Sequence, residues 1–183
     1  MTTDVIMAGF GGQGILMIGN LLSIAAMEEG KHVTYFPAYG VEMRGGTANC
    51  TVVISDEEIG SPVVGRPKAC VVMNGPSLDR YLPSIREGGD LVINRSLVDP
   101  AKVDRKDLRL LAIPANDIAR EVVGSQQLAS MVALGAYVER TGVVRIQTLF
   151  DCLPKVISKK YEKFIPLNVN ALKEGESFAR NHA

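Results

Sequence analysis

A short apolar run, Val5-Ile6-Met7-Ala8, empties directly into Gly9-Phe10-Gly11-Gly12-Gln13-Gly14, and a segment with helical spacing follows. This order of strand, glycine-rich turn and helix constrains the fold more than any other feature. It reads as the first βα unit of a nucleotide-binding sheet. Glycines there allow positive φ and let backbone N–H groups approach an anion at a helix N-terminus. Gly9, Gly11 and Gly14 satisfy the G-x-G-x-x-G spacing.

A dinucleotide site needs one more element, an acidic residue about 20 residues further on, ending the second strand, to take the ribose hydroxyls. Here the second strand reads as Val33–Phe36 and is ended by Pro37, while Glu28 and Glu29 fall at the end of the preceding helix. Bound NAD or FAD is therefore not expected. Two readings of the turn stay open. It is either a tight connection whose glycines serve packing, or a cradle for an anion or a partner chain. Gln13 favours the cradle, because an uncharged amide just inside a helix can donate without cancelling the positive helix end.

The periodicity along the rest of the chain predicts alternating strands and helices. A helix is expected from Gln13 to about Glu29, with Gly30 closing it. From Ala48 to Ser55 apolar and polar residues alternate, which predicts a strand. The connection to it from the second strand holds about a dozen residues and no helix, so the pairing should be antiparallel; a parallel return needs a longer crossover. Asp56-Glu57-Glu58 reads as a hairpin turn and Ile59–Pro62 as irregular or edge structure. Further strands are expected at Ala69–Met73, Asp90–Asn94 and Arg109–Ile113, and a helix begun by a Ser77 cap runs to about Ile85. The last third reads as helical: one helix marked by Leu128, Met131, Gly135 and Val138 and ended at Gly142, then Ile146 to about Tyr161, then Asn168 to about Arg180. The expected architecture is α/β: a single three-layer domain spanning 1–183, with a mixed, mostly parallel sheet, a Rossmann-like first βα unit and a helical C-terminal third.

Composition excludes several functions. Twenty basic residues balance twenty acidic ones, so no nucleic-acid or anionic-membrane surface is expected. No apolar run approaches the ~20 residues of a membrane span, and no signal peptide is evident; a cytoplasmic protein is the expectation. Cys50, Cys70 and Cys152 are odd in number and far apart. With no C-x-x-C, an iron–sulfur cluster or structural zinc held by this chain alone is not expected, and buried thiols are. The only histidines, His32 and His182, sit at a strand start and in the terminus. No His-x-x-x-His, Gly-x-Ser-x-Gly or Walker lysine is present, and no catalytic residue is assigned.

A second glycine element, Glu42-Met43-Arg44-Gly45-Gly46, precedes the alternating strand. A charged pair flanking a Met and followed by two glycines is a costly way to build a plain loop. If this loop and the Gly9–Gly14 turn leave the same sheet edge, Arg44 joins them in one concave site suited to a carboxylate, phosphate or pyrophosphate. Tyr39 adds a stacking or hydroxyl contact. The candidate site is thus Gly9, Gly11, Gly12, Gln13, Gly14, Arg44, Gly45 and Gly46.

At these two loops the sequence resembles the gamma subunit of 2-oxoacid:ferredoxin (acceptor) oxidoreductases. The matching stretches are Gly9-Phe-Gly-Gly-Gln-Gly14, Tyr39-Gly-Val-Glu-Met-Arg-Gly-Gly-Thr-Ala-Asn-Cys50 and Ile59-Gly-Ser-Pro62, with weaker echoes in Met131–Gly135 and Asn168–Gly175. Ser130 departs from the pattern, where asparagine is common. The resemblance implies a subunit of a complex that oxidatively decarboxylates a 2-oxoacid, 2-oxoglutarate before pyruvate, to an acyl-CoA and passes electrons to ferredoxin. It implies thiamine diphosphate between alpha and beta subunits and iron–sulfur clusters in beta or delta, so that this chain is a scaffold or a contributor to the coenzyme A path and is inactive alone. A homodimer in isolation is compatible with the apolar interface a lone subunit would expose. A free-standing nucleotide-binding enzyme and a non-catalytic module of another complex are the competing readings.

Overall fold

The computed structural model describes residues 1–39 and 46–182. Its sheet has six strands in the order β2-β3-β1-β4-β5-β6. These are β1 (Thr2–Phe10), β2 (His32–Tyr39), β3 (Thr47–Ser55), β4 (Ala69–Val72), β5 (Asp90–Asn94) and β6 (Arg109–Ile113). β1, β4, β5 and β6 run parallel, while β3 pairs antiparallel with both β1 and β2. The sheet is mixed and mostly parallel, and β2 returns antiparallel along β3 as its short connection requires.

The alternation of the strands sorts the core onto two faces. Met7, Val52, Val71, Val92 and Leu111 point to the larger one, which is covered by α1 (Ile15–Glu28), α4 (Ala129–Thr141), α5 (Ile146–Val156) and α6 (Ile165–Asn181). Ile6, Cys70, Val72, Leu91 and Ile93 point to the smaller one, covered by α2 (Gly75–Tyr81) through Leu78. Neighbouring strands β1 and β4 therefore send their following helices to opposite faces. That opens a crevice at their C-terminal ends, where open α/β sheets bind ligands.

Several local expectations need correction. Pro37 does not end the second strand. It lies inside β2, opposite Cys50, and is tolerated because β2 is an edge strand with one unpaired side. Asp56-Glu57-Glu58 is no hairpin turn, because the chain crosses to β4, parallel to β1; Asp56 instead pairs with the Met1 amine and Lys31. The cap of α2 is Asn74, whose Oδ1 accepts from the Ser77 N–H at 2.9 Å, and Ser77 lies within the first turn. α5 stops at Val156, two residues past Pro154, and Lys159–Phe164 forms a separate 3-10 turn. A short helix α3 (Ala115–Ile118), continued by a π turn to Val123, was not anticipated; Gly124 at φ 87° ends it.

Candidate functional site

β1 delivers the glycine turn to the crevice. The turn closes on itself: the Gln13 N–H donates to Phe10 O at 3.1 Å, and the Phe10 N–H donates to Gln13 Oε1 at 2.7 Å. Asn74 Nδ2, from the end of β4, donates to the same Oε1 at 3.3 Å. Gly9 makes room for this staple, since a Cβ there would lie 2.5 Å from Gln13 Oε1. Gly14 starts α1 in the left-handed conformation at φ 78°, and a Cβ on it would meet Ser130 Oγ at 2.5 Å. Ser130, the departure from the family pattern, is thus buried against the turn from α4.

The two glycine elements converge. Phe10 pairs with Thr47, and the Gly11 N–H donates to Gly46 O at 2.8 Å. Gly9, Gly11, Gly12, Gln13, Gly14 and Gly46 are brought together; Arg44 and Gly45 lie outside the described residues. Tyr39 joins Gly11, Gly12 and Gly46 around a cavity of about 370 Å³ that also meets the start of α1. On the crevice side, Gly12 and Gln13 line a second cavity of about 580 Å³ with Met73, Asn116 and Gln127. Gly12 and Gly14 edge a third of about 960 Å³.

This geometry divides the donors of the turn. The N–H groups of Gly11 and Gln13 are committed internally. Those of Gly12, Gly14 and Ile15 have no acceptor among the described residues, so they remain as a positive helix end facing the cavities. The oxygen of Gln13 is held by the turn, and its amide nitrogen has no partner among the described residues. Among the described residues no carboxylate enters these contacts. The arrangement can hold an anionic group by backbone N–H bonds, and Gly9 to Gly14 include no carboxylate, histidine or lysine.

Glu28 and Glu29, the acids at nearly the ribose-binding separation in sequence, are spent elsewhere. Glu29 Oε1 accepts from the Arg145 N–H at 2.8 Å and from Thr148 Oγ1 at 2.7 Å, capping α5, and Glu28 pairs with Lys155 at 2.6 Å. β3 also lies between β1 and β2. β2 is therefore not the strand next to β1, as a dinucleotide fold requires.

Cys50, Cys70 and Cys152 are all buried and free. Burial pushes the Cys50 and Cys70 thiols up to about 12 and raises that of Cys152. Neutral thiols on separate elements do not fit a cluster, whose ligands are thiolates. Among the described residues no group of three or more His, Cys, Asp or Glu could hold a metal, and no described helix is long and apolar enough to cross a membrane. Asn74 and Ser130 were missed as site residues in the sequence. Asn74, in Asn-Gly-Pro-Ser directly after a strand, carried a helix-cap signal; Ser130 carried none.

The sequence matches the pyruvate ferredoxin/flavodoxin oxidoreductase family over residues 4–178. A ketoisovalerate oxidoreductase subunit VorA from Methanothermobacter marburgensis is 39% identical over 96% of this chain, which spans 36% of that relative's length. The gamma subunit of a keto/oxoacid ferredoxin oxidoreductase from Geobacter sulfurreducens superposes with a TM-score of 0.84 at 29% identity, covering 98% of this chain and 99% of that one. A 2-oxoglutarate:ferredoxin oxidoreductase from Magnetococcus marinus, solved with 2-oxoglutarate, coenzyme A and succinyl-CoA bound, superposes with a TM-score of 0.88 at 26% identity, covering 98% of this chain and 31% of the other. With its glycine turn, mixed sheet and sequence all in agreement, the chain belongs to the pyruvate ferredoxin/flavodoxin oxidoreductase family.

Proposed function

We propose that residues 1–183 act as one gamma-type domain of a cytoplasmic, multi-subunit 2-oxoacid:ferredoxin oxidoreductase, which converts a 2-oxoacid and coenzyme A to acyl-CoA. In this reading thiamine diphosphate and iron–sulfur clusters belong to alpha, beta or delta partners, and ferredoxin takes the electrons. The family match and the ligand-poor chemistry of this chain support it. The relatives act on ketoisovalerate and on 2-oxoglutarate by name; we favour 2-oxoglutarate, with the branched-chain 2-oxoacids next.

The observation that carries a site on this chain is the glycine turn. Its Gly12, Gly14 and Ile15 N–H groups stand uncommitted among the described residues, at a helix end without a carboxylate. They fit a phosphate of coenzyme A or a backbone carbonyl of a partner subunit; Gly46 lies beside them, and Arg44 and Gly45 are proposed as members of the same site on their sequence alone. The bound cofactor would supply the acyl-accepting thiol. This chain's residues would hold and orient its anionic end. A free-standing nucleotide enzyme and a module of an unrelated complex are not favoured.

The test is purification of the native complex and assay of CoA-dependent viologen reduction with a panel of 2-oxoacids. The expected result is activity, highest with 2-oxoglutarate. Arg44→Ala is expected to raise the KM for coenzyme A about tenfold, the loss of a charged hydrogen bond, or to weaken assembly. A variant unchanged in both would overturn the site.

A further inference from the structure

The third cavity runs from the glycine turn into a part of the surface that the candidate site does not use. It is a groove of about 960 Å³ that starts at Gly12 and Gly14 and continues between Met17, Leu128, Ile157, Tyr161 and Phe164. Tyr161 is 50% exposed and Phe164 43%, so two aromatic rings are held in place with much of their surface uncovered. Lone exposed apolar residues need no explanation, whereas a lined concavity of them marks a binding surface.

Charge along the rim indicates what kind of occupant fits. Lys159, Lys160 and Lys163 form no ion pair among the described residues, whereas Lys155, just before them, is paired with Glu28. Lys160 Nζ lies 5.3 Å from the Tyr161 ring centre and Lys163 Nζ 5.1 Å from that of Phe164. The ammonium groups therefore stand over the faces of the same rings that line the groove. Glu162 is the one carboxylate in that stretch. Inside the wall, Asn168 is buried, with its Nδ2 donating to Phe164 O and its Oδ1 without a partner. A buried acceptor left in that state costs on the order of 1–3 kcal/mol.

We propose that this groove docks an apolar polypeptide segment flanked by carboxylates, contributed by another subunit of the complex. The proposal rests on the gamma-subunit reading. Three lysines on one 3-10 segment, two of them over separate rings of the groove, suit successive acidic side chains, whereas a single phosphate would need donors converging on one point. The apolar wall takes the segment's hydrophobic side chains.

The test is co-expression of the full chain with the other subunits, comparing the wild type with Phe164→Asp and with the double variant Lys159→Glu, Lys163→Glu. All three positions are exposed, so circular dichroism and melting of each purified variant should match the wild type. Co-purified partner should fall at least about tenfold for Phe164→Asp, as for loss of an aromatic anchor. The double variant should lose partner at low salt, and the wild-type association should weaken as salt rises. Amides of residues 159–168 should exchange more slowly in the complex. Wild-type assembly with both variants equally competent and the amides unprotected would overturn the groove and leave the subunit reading standing. Failure of the wild type to assemble at all would overturn both. A concentration-dependent dimer of the lone chain abolished by Phe164→Asp, or pelleting with anionic vesicles abolished by the double variant, would assign the groove to a second copy or to a lipid surface and overturn the proposal.

Discussion

The chemistry of the glycine turn depends on which of its hydrogen-bonding groups the fold consumes. Gln13 Oε1 accepts from the Phe10 N–H and from Asn74, so the side chain works first as an internal staple. Gln13→Ala should destabilise the chain by about 1–3 kcal/mol in urea unfolding, the cost of a stranded backbone donor. The G-x-G-x-x-G spacing was legible, but the division between committed and free donors was not. The acceptor for Gly11 is Gly46 O, from the far end of an intervening hairpin connection, and no local pattern announces it. The buried thiols were legible from their type and spacing. Because burial holds Cys50 and Cys70 near pKa 12 and raises Cys152, thiol reagents at neutral pH should label none of them in native protein and all three after denaturation. Rapid native labelling would contradict this placement.

Among elements, the helices of the C-terminal third are joined by close backbone contact. A Cβ on Gly135 of α4 would lie 2.1 Å from Leu172 O, and one on Gly175 of α6 would lie 1.9 Å from Val132 O. Gly135→Ala or Gly175→Ala should therefore cost about 1–3 kcal/mol or more, since backbone cannot step aside as a side chain can; melting temperature is the readout. Both glycines fall in stretches that resemble the family, and their packing gives a physical reason for that pattern.

The contact between α1 and α5 is pH-sensitive. Burial works to raise the pKa of Glu29, but the bonds from Thr148 and from the N–H and guanidinium of Arg145 outweigh it, and the net shift is downward. A carboxylate lowered on folding stabilises the native state above its unfolded pKa, about 4.3. That stabilisation is lost as pH falls through the folded value. Glu29→Gln should lower stability near neutral pH by about 0.5–2 kcal/mol, as for loss of a helix cap, and should flatten the stability profile on the acid side. Equal acid profiles for the two proteins would refute the assignment. The early end of α5 had a visible warning in Pro154, whereas the π turn after α3 had none. A π turn differs from an α-turn by one inserted residue that tertiary packing must accommodate.

For the whole molecule, strand order decides what the first βα unit can bind. With β3 seated between β1 and β2, no acid can stand beside the glycine turn at the end of an adjacent second strand. Isothermal titration of the chain with NAD should accordingly show no binding, and a micromolar affinity would disprove the argument. The sequence by itself determined the six strands and the long helices, because hydrophobic period, glycine placement and caps act within one turn or one strand. It also determined that β2 and β3 pair antiparallel, since a short connection allows nothing else. Tertiary structure alone decided that β3 enters the sheet beside β1. It likewise decided that Glu29 serves α5, that Ser130 backs Gly14, and that Tyr161 and Phe164 open a groove toward the glycine turn. Those outcomes depend on contacts between residues distant along the chain, whose energy arises only when the sheet and its helices are assembled.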